Sequence, residues 1–523
     1  MDAILFWVVL TTFAVATALL ALYGLHLYAL IFLFRRRANE KRQDQSQVIA
    51  DFRRLAADAD WPILTTQIPI YNESDVIERI VEAAVAMDYP AGKHEVQILD
   101  DSDDHTREIV DALAVRLCAR GADVKVVRRS SRENYKAGAL AYGLTVARGS
   151  CVAVFDADFV PPVDFLRRTV PLLMSNPKLA CLQARWGHLN REESWITEAQ
   201  ALGIDGHFAI EQGARAWNGL MMNFNGTAGV WRRVAIEDAA VGGWDGDTLT
   251  EDLDLSYRAQ LAGWKLDYCI DIDCPAELPG TINALKSQQR RWATGSIQVA
   301  RKLLPRIWLA KLSLGAKVEA TLHLTHYSVA VWMLLLAVVA RPMLIVYANH
   351  QMFNVWFWIA CSTILLSAVA PSLAYAYARY VLIGKWTGFR TIPSMLILGC
   401  GMCVNNTIGV VRGMLLRGGE FVRTPKSGSA GAVVKQSSYR TGYNRMWLLE
   451  MALGVYSLLS FFLYITEERP AFSLFLLLYA IGFFTIGWLS RSPRRKGSAV
   501  QSPAPAPYLS STLPTVDPVR TAS

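Results

Sequence analysis

Unbroken apolar runs bracket a central stretch in which apolar and polar positions interchange over short distances. Residues 4–34 form the first run; as a helix it reaches about 46 Å at 1.5 Å per residue, against roughly 30 Å of bilayer hydrocarbon. Asp2 precedes it, and Arg35, Arg36 and Arg37 follow. That charge order is the reverse of a signal peptide's, so residues 1–37 are expected to be an uncleaved transmembrane anchor that starts on the outer side. In the span 50–310, short β-rich runs at 63–69, 95–99, 124–127 and 151–155 are separated by helical spacing at 76–87 and 107–120. This alternation predicts an α/β domain with a largely parallel sheet, whose ligands bind at the carboxyl ends of the strands. Asp-rich loops fall at such ends, after Leu99 and Phe155. Apolar spans resume at 322–347, 355–377, 392–416, 447–465 and 472–489, which makes 318–490 a helical membrane region.

Composition agrees: of 523 residues, 52% are apolar and 19% charged, which excludes a disordered or collagen-like chain. The formal charge of +8 sits in clusters beside apolar runs, at Arg35 to Arg37, Lys385 with Arg390, Arg417 with Arg423, and Arg494 to Lys496. These read as positive-inside anchors in a lipid bilayer, and no nucleic-acid partner is expected. If all of them are cytosolic, segment 392–416 does not cross an odd number of times. It also carries Asn405, Asn406, Thr407 and Arg412, costly in lipid, so it is expected to be an interfacial or re-entrant helix, giving five crossings with six as the alternative. Segment 417–440 is then cytosolic, and the polar tail 491–523 is expected to be disordered. His323, Thr325, His326, Asn405 and Asn406, with Trp332 and Trp447, are candidates to line a polar route through the helices; for the two histidines, satisfied packing between helices is an equal reading. Eight cysteines show neither metal-ligand spacing nor disulfide density, and Cys400-Gly401-Met402-Cys403 reads as close helix packing.

Three groups of residues carry candidate chemistry. Asp156-Ala157-Asp158 follows a predicted strand; two carboxylates two apart can hold Mg2+ or Mn2+ on a diphosphate, or serve as turn residues. Thr250-Glu251-Asp252 precedes a helical pattern, where the acids either complement the helix dipole or supply a general base, Asp252. In Gln288-Gln289-Arg290-Arg291-Trp292, Arg291 can fork onto a diphosphate and Trp292 offers a face to a sugar ring. The stretch 285–309 around it is also amphipathic enough to anchor at a membrane surface.

With Gln67-Ile68-Pro69-Ile70-Tyr71-Asn72-Glu73, Gln97-Ile98-Leu99-Asp100-Asp101-Ser102, Tyr135-Lys136-Ala137-Gly138, Gln183-Ala184-Arg185-Trp186 and Phe224-Asn225-Gly226-Thr227-Ala228-Gly229, these motifs make the chain resemble the membrane-integrated family 2 glycosyltransferases. The likeness is greatest to the plant cellulose-synthase-like A and C proteins, which make mannan and xyloglucan backbones, and to their bacterial relatives. It runs over 61–302 and resumes at 421–426. The resemblance implies an α/β glycosyltransferase A-type, nucleotide-sugar-binding domain at 50–310, inserted between transmembrane helices, with an interfacial helix at about 283–310 and a helical membrane channel domain. It implies that Pro69, Tyr71, Glu73, Asp100, Asp101, Lys136, Asp156, Gln288 and Arg291 bind the donor and that Asp156 and Asp158 hold the metal. It further implies that Asp252, with Glu251, is the catalytic carboxylate, that Asn225, Gly226, Thr227 and Trp292 meet the acceptor, and that Phe421, Thr424 and Lys426 belong to a gating loop.

On that likeness the chain is expected to be a processive, inverting β-glycosyltransferase that extends a β-glycan acceptor and translocates it. A single displacement needs one carboxylate base, in contrast to the two of glycosidases. UDP-glucose is the favoured donor because glucan synthesis is the commoner bacterial task, with GDP-mannose the other candidate. The expected location is a plasma or bacterial inner membrane, multi-pass, with the catalytic domain cytosolic. A transferase adding one sugar to a lipid, and a transporter with a regulatory soluble domain, are the competing readings.

Overall fold

The computed structural model describes residues 3–350, 355–419, 445–468 and 470–491. Seven strands form one sheet: β1 (Leu64–Ile70), β2 (His94–Asp100), β3 (Val124–Val127), β4 (Cys151–Val154), β5 (Leu179–His188), β6 (Gly229–Arg232) and β7 (Lys265–Ala276), in the order β3-β2-β1-β4-β6-β5-β7. β6 alone is antiparallel to its neighbours β4 and β5, so the sheet is largely parallel, as the alternating pattern predicts. A sheet covered on both faces buries its strands completely. β1 shows this: Thr65, Thr66 and Gln67 are fully buried, and Thr65 meets its need by donating to Glu95 Oε2 at 2.7 Å. Helices Ile77–Val85, Thr106–Cys118 and Phe165–Met174 close one face over Ile68 and Ile98; Tyr135–Val146 and residues around Phe208 and Trp217 close the other.

The first helix does not stop at residue 37. Ala3–Leu55 is one helix of 53 residues, about 80 Å at 1.5 Å per residue. Its second half rides on the α/β domain: Arg42 forks onto Asp271 at 3.0 and 2.6 Å, Gln45 donates to the Tyr268 carbonyl, and Val48, Ile49 and Phe52 pack on the core. The sequence hides this because Arg35 to Arg37 look like a terminus when their partners are not known.

The interfacial helix spans Ile282–Leu309, capped by Thr281, whose side chain accepts from Ala284 N. Among the described residues, six helices are long and apolar enough to cross a membrane, Ile392–Leu415 among them. That helix is unbroken, where a re-entrant segment would fold back. Its Asn405 is spent on helix contacts. Asn405 is fully buried, accepts from Arg290 at 3.1 and 2.8 Å and donates to the Lys286 carbonyl at 3.0 Å. Small residues allow the approach: a Cβ on Gly413 would stand 2.6 Å from the Thr294 carbonyl oxygen, and one on Gly401 would stand 2.4 Å from that of Gly482. The Cys400–Cys403 segment is therefore a packing surface, as its small residues predict.

Candidate active site

The carboxyl ends of β1, β2, β4 and β5 open onto a cavity of about 160 Å³, closed on the far side by the start of helix Glu251–Leu261 and by the interfacial helix. Pro69, Tyr71, Glu73, Asp101, Lys136, Asp156, Asp158, Asn225, Gly226, Glu251, Asp252, Gln288, Arg291 and Trp292 all line it. Segments separated by more than two hundred residues thus converge where the strand ends predict.

Lys136 stands at the centre of the charges. Its Nζ donates to Asp156 Oδ1 at 2.5 Å and to the Gly226 carbonyl at 2.9 Å, and lies 3.9 Å from Glu251 Oε1. Burial works against the ammonium, but Asp156, Glu251 and Asp252 outweigh it and raise its pKa. Asp252 is pushed up to about 7, first by removal from water and then by the Glu251 carboxylate, with Lys136 opposing. A carboxylate of that pKa suits proton abstraction at neutral pH. Gly226, at φ +81°, keeps the space open: a Cβ there would stand 2.8 Å from Asp252 Oδ2 and 3.3 Å from Lys136 Nζ.

Two predicted site residues sit behind the wall. Asp100 does not line the cavity; its carboxylate takes Arg128 Nε at 2.8 Å and Ser102 N at 3.0 Å. Thr227 is fully buried, and its Oγ1 accepts from Asp156 N at 2.9 Å, so it fixes the acidic loop from beneath. Gln183 of the Gln183-Ala184-Arg185-Trp186 motif ties that arrangement together, donating to the Thr227 and Ala228 carbonyls and accepting from Asn225 N. Phe421, Thr424 and Lys426 lie outside the described residues. The chain just before them is clipped to the loop that leads into Thr250: Gly418 N donates to the Asp247 carbonyl, while Gln298 donates to the Gly418 carbonyl and accepts from Leu249 N.

Sequence reasoning missed several residues. Arg129 forks onto Asp101 at 2.8 and 2.6 Å, and Arg132 lies over the Tyr71 ring, 3.2 Å from its centroid. Their signal was three arginines within five positions just past β3. Asp245, Asp247 and Asp254 form an acidic cluster resembling a metal site. Its centre already holds a cation, since Lys302 Nζ lies 2.8, 2.8 and 3.0 Å from the three carboxylates.

A second cavity of about 410 Å³ shares Asn225, Asp252, Gln288 and Trp292 with the first and leads on among the membrane-region helices to Tyr375, Met402 and Asn406. His323 and His326 line it while also packing between helices, His323 Nδ1 against the Tyr257 hydroxyl at 2.7 Å and His326 Nδ1 against the His323 carbonyl at 2.8 Å, but Thr325 is taken by Tyr23 at 2.7 Å and Asn405 by Arg290. Trp332 and Trp447 are not in its wall; Trp447 carries Arg491 over its ring. A π-helical turn, His207–Gln212, puts His207 and Glu211 there, which no sequence periodicity announces.

A sheet of this order, with its acidic loops gathered at the strand ends and membrane helices on both sides in sequence, defines a glycosyltransferase A-type enzyme embedded in a membrane. Residues 62–295 match the family described as "Glycosyltransferase like family 2". The chain is 33% identical over 479 residues to "Glucomannan 4-beta-mannosyltransferase 1" of Cyamopsis tetragonoloba, covering 88% of both chains. It is likewise 33% identical over 480 residues to "Probable glucomannan 4-beta-mannosyltransferase 9" of Oryza sativa subsp. japonica, covering 87% of this chain and 88% of the relative. A solved structure, "Mannosyltransferase PcManGT from Pyrobaculum calidifontis in complex with GDP-Man and Mn2+", superposes with a TM-score of 0.45 at 18% identity, over 76% of this chain and 99% of that one. The chain belongs to the family 2 glycosyltransferases, in the cellulose-synthase-like group of the glucomannan 4-β-mannosyltransferases.

Proposed function

We propose that this protein is a processive, inverting β-mannosyltransferase that builds a β-linked mannan from GDP-mannose and passes it between its membrane helices. The observation that carries the processive part is the junction of the two cavities at Asp252 and Trp292, so that a product chain has room beyond the reacting carboxylate. The preference for UDP-glucose falls, because the relatives covering most of the chain are mannosyltransferases. Those relatives are plant proteins, so they give no support to a bacterial inner membrane; the proposal keeps a multi-pass protein with its catalytic domain on the cytosolic side.

In this reading Tyr71, Glu73 and Asp101 hold the nucleoside, with Arg132 packed on Tyr71. Arg291 meets the diphosphate, and Trp292 supports the acceptor sugar. Asp156 and Asp158 both line the cavity, and Lys136 engages one oxygen of Asp156, so hard oxygen donors suited to Mg2+ or Mn2+ are present. A bound dication there would neutralise charge developing on the leaving diphosphate. Asp252 takes the proton from the attacking hydroxyl, on the side opposite the leaving group, and one displacement inverts the α-linked donor to a β-linked product. Phe421, Thr424 and Lys426 are proposed to close over the donor, from a segment whose preceding residue Gly418 is bonded beside the catalytic loop.

Purified protein incubated with labelled GDP-mannose or UDP-glucose and Mg2+ or Mn2+, followed by product sizing and β-mannanase digestion, tests this. A long, mannanase-sensitive polymer, lost in Asp252→Asn while donor binding persists, is the expected result. A labelled glycolipid, or transfer of glucose without mannose, would overturn it.

A further inference from the structure

β5 ends in a histidine that no motif above assigns. His188 lines the first cavity, yet its side chain is only 5% exposed, and its Nε2 lies 2.9 Å from Asp205 Oδ1. Asp205 is outside the lining of either cavity and 1% exposed. Burial disfavours its charge, but His188 and Arg191 hold its pKa well below the usual carboxylate range, and Arg379 adds a third contact at 3.3 Å. An ionised carboxylate accepts only, so Nε2 carries the hydrogen that faces it. In the neutral ring Nδ1 is then an acceptor, and this buried atom has no hydrogen-bond partner. Burying such an atom unpaired costs free energy unless something that enters the site pairs with it. His188 lines the cavity and Asp205 does not, and with Nε2 taken by Asp205, Nδ1 is the ring nitrogen without a partner.

We infer that His188 is a sugar-reading residue: its Nδ1 accepts a hydrogen bond from one hydroxyl of a hexose bound in the active-site cavity, with Asp205 as the residue that positions the ring. The hexose is that of the donor or the terminal unit of the acceptor, which offer the same chemistry. This rests on the transferase reading and goes beyond it by naming a specificity determinant. Ile204 and Trp186 line the cavity beside the same strand end, giving the sugar an apolar wall next to the histidine.

The test compares the full-length wild type with His188→Phe on GDP-mannose, on its monodeoxy analogues and on monodeoxy mannan oligosaccharide acceptors. His188→Phe should lower kcat/KM for the parent substrates about five- to tenfold. One deoxy analogue should be turned over equally by both proteins, because it lacks the hydroxyl that His188 reads; the series containing it identifies donor or acceptor. His188→Asn, whose amide oxygen can replace Nδ1, should recover most of the loss. Asp205→Asn, which keeps the ring but releases its tautomer, should lose discrimination at that same hydroxyl and serves if His188→Phe does not fold. Uniform losses across all analogues, or no loss, would overturn the inference. If the wild type transfers no mannose, the proposed function fails separately, and calorimetric binding of the deoxy donor and acceptor series to both proteins decides the role of His188.

Discussion

If Asp252 is the base, as proposed, the charges around it set the pH profile of transfer, and two substitutions should move that profile in opposite directions. In the proposed mechanism Asp252 is the base and acts as the carboxylate, so kcat/KM, which reports the free enzyme, should fall as pH drops through its pKa of about 7. Lys136 stabilises that carboxylate. Its Nζ and Asp252 Oδ2 lie 3.3 and 2.8 Å from one common point, the Cβ position of Gly226, so they are no more than about 6 Å apart. At that separation and an effective dielectric constant of about 20, the attraction is about 2.8 kcal/mol, or about two pKa units. Lys136→Met should therefore carry the acid limb from about pH 7 toward about pH 9, with activity at pH 7 reduced far more than activity at pH 9. Glu251 repels the carboxylate, so Glu251→Gln should carry the limb below pH 7. The assay is initial-rate transfer at subsaturating donor between pH 5 and 10, with a buffer overlap at each step. An acid limb that stays fixed in both variants, or moves the same way in both, would refute the assignment of Asp252 as the titrating base.

Gly226→Ala places a methyl in the left-handed region, at a backbone cost of about 1–2 kcal/mol, and against Asp252 Oδ2. The variant should fold with a modestly lowered melting temperature but lose transfer at least tenfold; wild-type turnover would mean the close approach does not matter. Lys302→Ala leaves Asp254 buried without its ammonium, though still paired with Arg258 at 2.7 Å. Stability should drop by about 2 kcal/mol in a urea titration; an unchanged midpoint would remove Lys302 from its place as the resident cation.

What the sequence made legible was chemistry that depends on local pattern. Alternating runs predicted a parallel sheet, and loops after Leu99 and Phe155 were placed at strand ends because that is where such sheets bind ligands. What it left dark depends on partners far along the chain. Asp100 and Asp101 are adjacent and chemically equivalent as letters, yet strand pleating sends Asp100 inward to Arg128 and leaves Asp101 on the cavity wall, braced by Arg129. Asn405 read as a channel residue because an amide in lipid needs a reason; its reason is Arg290, 115 positions earlier. Helix Ala3–Leu55 passes residue 37 because Asp271 and the Tyr268 carbonyl await Arg42 and Gln45.

Helix Ile282–Leu309 shows how the anchoring and catalytic readings of Gln288 to Trp292 can hold together. A Cβ on its Gly295 would stand 2.5 Å from Thr250 Cγ2 and 2.8 Å from Thr250 N, so this face abuts the start of the catalytic helix. Other contacts of the same helix join it to the membrane region: Lys286 pairs with Glu450 at 2.5 Å, Arg290 with Asn405, and Thr294 and Ile297 receive Gly413. Gln288, Arg291 and Trp292 line the cavity from within that clamp. The contacts on both sides of this helix fix the position of the residues it presents to the cavity. Helix Ile282–Leu309 thus touches both helix Ile392–Leu415 and Thr250, with Gly295 as the point of contact to Thr250.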